Sequence, residues 1–250
     1  MSDENRPPIL PIAIVGGLVI LGILVGAWWM SRRSAAPTQP TKAVTSTEAP
    51  ITTPAPPPLP PLDQMDPMMR SLLGALLDHP ELAKWLATDG LLKQLAMAID
   101  AAAQGKTPSR NFKVVAPATG FATTRRNNRR TIDPASYKRY NPLVTAVTSM
   151  DASGVAKVYK TIKPRLNEAY RNSGHPDGDI EQALQAALDT LLETPVVQDP
   201  VVVVEGKGAL WVFADPKLES LTPSQKQLLR MGPEHVDAIL VWLRALKTSL

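Results

Sequence analysis

Four arginines within six residues, Arg125, Arg126, Arg129 and Arg130, flank Asn127-Asn128, and Lys138 and Arg139 follow shortly after. A guanidinium offers a planar fork of donors that matches a carboxylate or a phosphate, so the chemistry open to such a cluster is the holding of an anion. From Lys106 to Arg139 there are nine basic residues against Asp133 alone, a local charge of +8, while the rest of residues 63–250 carries −5. The competing reading is a solvated face, where arginine keeps a loop soluble and salt screens the repulsion. These six residues are the candidate anion- or partner-binding set.

Other chemistry is sparse. The chain has no cysteine, which removes disulfides, thiolate metal sites and cysteine nucleophiles, and its histidines are His79, His175 and His235. The sequence contains no G-x-S-x-G, H-E-x-x-H, Walker or G-x-G-x-x-G pattern. In "HPDGDIE" His175, Asp177, Asp179 and Glu181 crowd together, but without a defined ligand spacing they read as a Pro/Gly turn leading into an acidic helix start. Tyr137 and Tyr140, on either side of Lys138 and Arg139, would stack on bases or sugars in a binding site and pack inward otherwise; packing is the commoner use. No catalytic residue, metal ligand or cofactor is assigned. An enzyme acting on envelope material, the alternative, would draw its acid and base from around Asp133, Tyr137, Asp177 or Asp215.

The elements that must position the arginines are legible. Phe121–Arg126 and Arg129–Ile132 are β-prone runs joined by Asn127-Asn128, and asparagine tolerates the positive φ of a two-residue type I′ turn. That register sets Arg126 opposite Arg129 and Arg125 opposite Arg130, like charges facing each other. A second hairpin is expected in "PVVVVEGKGALWVFADP", with Gly206-Lys207-Gly208 at its turn. Apolar spacing predicts helices from Asp66-Pro67 as N-cap and first residue, from Pro80, over Gly90–Gln104 with Gly105 as its stop, over Ala152–Asn172 with a bend at Pro164, and from Ile180 to Leu192. Thr222-Pro223-Ser224-Gln225 forms a capping box, Gly232 ends that helix, and Pro233 opens a last one presenting Val236, Ile239, Leu240, Leu243 and Leu246 inward. Lys226 and Arg230 are expected to pair with Asp215, Glu219 or Asp133.

Ahead of this, a tail at residues 1–8 leads into Ile9–Met30, an uncharged run of 22 residues, roughly 33 Å of helix against a hydrocarbon core of about 30 Å, and so an expected single transmembrane span. Bulky Trp28-Trp29-Met30 running into Arg32 and Arg33 argues against signal-peptide cleavage. Gly22 and Gly26 form a G-x-x-x-G pair on which two spans would pack as a homodimer. Residues 31–62 are a Pro/Thr-rich linker that runs as a stiff polyproline stalk, and residues 63–250 are the globular domain. Arg32 and Arg33 outweigh Arg6 and favour a cytoplasmic domain; the stalk favours a periplasmic one, the preferred orientation.

"IDPASYKRYNPLV" (132–144), "LLETPVV" (191–197) and "FADPKLESLTPSQKQLLRMGPEHV" (213–236) together resemble the domain of unknown function 3014 family. Those are bacterial proteins with an N-terminal membrane helix, a proline-rich linker and one C-terminal domain; the resemblance implies that architecture and an envelope setting and assigns no catalytic residue. The corner after Thr222 is similar to a helix-turn-helix, yet its second helix opens with Glu234 and Asp237, the wrong charge for DNA. The expected fold class is α+β, mostly α-helical, with one or two small β-hairpins. The expected function is a non-enzymatic, single-pass inner-membrane protein whose domain binds an acidic protein, an anionic envelope polymer or lipid headgroups, with nucleic acid as partner only for a cytoplasmic domain.

Overall fold

The computed structural model describes residues 58–76, 79–108, 112–198, 200–207 and 210–250, and of Arg126 the backbone alone. The expected anchor at residues 9–30, Gly22 and Gly26 with it, and nearly all of the linker lie outside these residues. Among the described residues no helix is long and apolar enough to cross a membrane. The domain reaches slightly further toward the N-terminus than expected: a 3-10 turn spans Leu62–Gln64, Leu62 packs on the core, and Arg165 donates to the Leu59 carbonyl.

The helical part holds α1 (Met65–Gly74), α2 (Pro80–Leu86), α3 (Leu91–Ala103), α6 (Ala152–Asn172) and α7 (Ile180–Leu192). Met65, Met69, Leu91, Leu92, Ile162, Leu166 and Ile180 are almost fully buried where their apolar stripes meet, and this is the largest core. Burying each such side chain contributes about 1.5–3 kcal/mol against leaving it in water. The expected N-cap role of Asp66 is corrected here. The first helix starts at Met65, and the Asp66 carboxylate instead accepts from the N–H groups of Gly90 and Leu91, at 2.6 and 2.9 Å, capping α3 across space. Arg70 completes the clamp through the carbonyls of Leu86 and Thr88. The helix α6 runs through Pro164, an exposed position, without a break.

The β part is two antiparallel hairpins, β1 (Thr123–Arg126) with β2 (Arg129–Ile132) and β3 (Val203–Glu205) with β4 (Trp211–Phe213). The first has the expected register and turn, Arg126 opposite Arg129, Arg125 opposite Arg130, and Asn127 and Asn128 at φ 48° and 59°. A bridge between Thr131 and Val202 and the bond from Ile132 N–H to the Val201 carbonyl join the hairpins edge to edge. Ile132, Val201, Val203, Phe213 and Leu229 form the core beneath them.

Four further helices follow the strands: α4 (Pro134–Lys138) and α5 (Asn141–Thr148) after β2, and α8 (Pro216–Glu219) and α9 (Pro223–Leu229) after β4. The last, α10 (Pro233–Ser249), buries Val236, Leu240, Leu243 and Leu246 as its spacing predicts, with Ile239 at the edge. Starts repeat one device, proline in the first turn behind a side-chain cap: Asp133 to Ala135 N–H, Asp215 to Lys217 N–H, and the complete capping box of Thr222 and Gln225. Gly105, at φ 67°, ends α3 and sits so close to Thr222 that its carbonyl accepts from Ser224 N–H, which docks α9 on the helical layer. The domain is thus mostly helical α+β with two small hairpins.

Candidate functional site

The type I′ turn lifts the arginines of β1 and β2 to the free end of the first hairpin. Arg125 and Arg129 are exposed, while Arg130 is half-buried, its guanidinium 4.7 Å over the Trp211 ring and donating to Thr123 Oγ1 at 3.1 Å. Arg125, Arg129, Arg130, Trp211, Val204 and Glu205 line an open recess of about 360 Å³ between the hairpins. Among the described residues no carboxylate, Glu205 included, lies within ion-pair distance of Arg125, Arg129 or Arg130. The tip thus presents unneutralised guanidinium groups beside an aromatic ring, with exposed Val204 lining the same recess.

The six basic residues singled out by sequence do not form one patch. Arg139 faces inward: it lies over the rings of Phe121 and Tyr140 at 5.6 and 4.7 Å and donates to the Thr119 carbonyl and the Tyr140 hydroxyl. Its Nε is buried without a partner among the described residues. Lys138 opens instead onto a cavity of about 320 Å³ between α4 and the start of α10, shared with Tyr137, Asn141, Glu234 and His235. Tyr140 is a core residue, and Tyr137 packs its ring on Gly232 with its phenol pushed up by burial, so both tyrosines are used for packing.

Asp133, Tyr137 and Asp215, three of the acid and base candidates, are engaged within the fold. Asp133 and Asp215 cap helices, and Asp179 accepts from Glu181 N–H at the start of α7. His175 stacks on Tyr170 at 4.4 Å and meets Asp100 at 3.1 Å. Glu181 binds Lys163 at 2.7 Å, and that hydrogen bond, with help from Tyr159, holds its carboxyl below the usual range. Burial alone would raise Glu219, but Lys226 and the Phe213 N–H outweigh it and hold the carboxyl down. Lys226 thus takes one of its expected partners, while Arg230 bonds the Trp211 carbonyl and lies over Phe213 at 5.0 Å, short of any ion pair. Among the described residues no three histidines or carboxylates are grouped to hold a metal.

A family model, Protein of unknown function (DUF3014), matches residues 91–247. The chain belongs to this family. The DUF3014 match runs from α3 almost to the end of α10 and takes in both hairpins, while α1 and α2 precede it. No curated protein and no solved structure matches the chain. The stretches that carry the likeness are those that build the hairpin's base. Ser136, which sequence reasoning passed over, is buried and ties that base twice, donating to the Ala122 carbonyl at 2.9 Å and accepting from Ala122 N–H at 2.7 Å. A serine at the third helical position behind Asp133-Pro134 carries no signal of such a distant partner. The Arg130–Trp211 contact was likewise invisible, because the two residues lie on different hairpins.

Proposed function

We propose that the DUF3014 domain of this chain is a non-enzymatic binding module of the bacterial envelope that docks on an anionic surface through the tip of its first hairpin. The observation that carries this reading is the facing arginines of β1 and β2, exposed at Arg125 and Arg129 and without a carboxylate partner among the described residues. Like charges held opposite each other gain when an anion comes between them. Val204, 46% exposed and lining the same recess as the arginines, favours lipid headgroups over a soluble polymer, because basic and apolar groups together suit a membrane interface. The enzyme reading draws less support, since the carboxyls displaced from their ordinary values, Asp151, Glu181 and Glu219, are all displaced downward, away from the range of a general acid. In this reading residues 9–30 anchor the chain in the inner membrane, pairing through Gly22 and Gly26, and the linker holds the domain on the periplasmic side.

The test uses the full chain in zwitterionic nanodiscs, titrated with phosphatidylglycerol vesicles and separately with poly-glutamate. Arg125→Ser with Arg129→Ser should abolish capture of the vesicles and leave the melting temperature within a few degrees, and capture by the parent chain should weaken as salt rises. Capture by the double variant equal to that of the parent chain would overturn the proposal. Loss of poly-glutamate binding alone would shift the partner to an acidic protein.

A further inference from the structure

A different part of the domain, remote from the arginines in chemistry, holds a cavity of about 240 Å³ whose lining presents no polar surface. Its walls come from α1, α2, α3, α6, α7 and α10, with Met69, Val158, Leu184 and Trp242 among them. Three aromatic residues in the lining carry a polar atom, and each has turned it elsewhere. Trp85 Nε1 donates to Gln94, Trp242 Nε1 to the Met150 carbonyl, and the Tyr159 hydroxyl to Glu181. The space therefore offers carbon and thioether sulfur, with no N–H, O–H or carbonyl facing it. Water has no hydrogen-bond partner there, and an apolar void of about 150 Å³ in another protein already takes up benzene. A sugar, a nucleotide or an extended peptide would leave its own donors and acceptors unpaired. An empty apolar space of this size also weakens the packing around it, so a hydrocarbon that fills it adds dispersion contacts.

We infer that this cavity between the helices is a binding site for an unbranched hydrocarbon tail, with the polar head of the ligand left outside in solvent. The tail belongs to a free fatty acid or to a membrane lipid, and the two sources are told apart by the probe.

The test places the full chain, with Trp28→Phe, Trp29→Phe and Trp211→Phe so that Trp85 and Trp242 alone report, in a fluorinated surfactant whose tails do not mix with hydrocarbon. Titration with 9,10-dibromostearate should quench more than half of the emission and saturate, and unbrominated stearate should reverse it and raise the melting temperature. Val158→Phe and Leu184→Phe, each filling the cavity from a different wall, should weaken quenching at least tenfold while the melting temperature holds or rises. Quenching in vesicles of dibrominated phosphatidylcholine but not by the free acid, lost in the filling variants, assigns the tail to a membrane lipid. Absence of saturable quenching from both sources, or quenching untouched by filling and unaccompanied by a stearate-induced rise in melting temperature, overturns the inference. Arg125→Ser with Arg129→Ser should leave the quenching unchanged, so the outcome is independent of the hairpin's role.

Discussion

The first hairpin is held in opposite ways at its two ends. Its base is over-determined: Ile132 is buried and bonded to Val201, Asp133 N–H returns to the Ala122 carbonyl, and Ser136 grips Ala122 from both sides. Its tip has the type I′ turn, two facing arginine pairs and, among the described side chains, one lateral contact, Arg130 on Trp211. A partner-binding element needs this division, because a rigid base fixes where the charges are aimed while a lightly held tip keeps them available. The same residue type shows both uses. Arg70 and Arg139 are spent on carbonyls and rings inside the domain, whereas Arg125 and Arg129 are spent on nothing within the described residues.

The sharpest way to break the comparison is at the base, through Gly232. It has φ 95°, and a Cβ there would lie 2.6 Å from Tyr137 Cγ, so Gly232→Ala meets both backbone strain and a ring that is itself packed. A cost of about 3 kcal/mol follows from strain and overpacking together. Thermal denaturation should show it as a fall of roughly 6–12 °C, with capture of anionic vesicles lost along with the fold at the lowered melting temperature. A near-neutral result would mean that α4 is free to move away from the α9–α10 corner, and the base would not be rigid.

Ser136→Ala acts on the same end with less force. It removes both bonds between Ser136 and Ala122, leaving the Ala122 N–H without its partner while the carbonyl keeps the bond from Asp133 N–H, which costs about 1 kcal/mol. Hydrogen exchange should speed up at Ala122 and in β1 while α3 and α7 stay protected. If protection fell equally everywhere, the hairpin would not be a separate unit of stability and the two ends could not be tuned apart.

How much of this could be read from the chain depended on distance along it. The Asn127-Asn128 turn, the register of the arginines, the capping box at Thr222 and the stop at Gly105 are each written within a few residues, and the structure has them as read. Asp66 shows where local reading fails. An aspartate before a proline at the head of an apolar run looks like that run's own cap, yet its carboxylate serves α3, 24 residues on, because the α1–α2 turn brings the two helix starts together. Arg139 shows the same limit: its contacts with Phe121, Thr119 and Tyr140 depend on how α4 packs, which a run of basic letters does not encode. The apolar cavity had no signature at all, since each residue that lines it reads as ordinary core.

The smallest expected effect separates function from stability at the tip. Arg125 faces Arg130 directly, and Arg130 is tied to Trp211 and Thr123, so the strain of the pair falls on a residue that cannot swing away. Arg125→Thr removes the repulsion and puts a good strand former in its place, which should stabilise the domain by about 0.5 kcal/mol at low salt and by less as salt screens the pair. The same change should weaken capture of phosphatidylglycerol vesicles several-fold. Opposite signs from one substitution are what a binding residue gives when it is held at a cost to the fold. If both stability and capture fell, Arg125 would be packing the hairpin; if neither moved, the facing arginines would be a solvated edge, and the division between base and tip would carry no function.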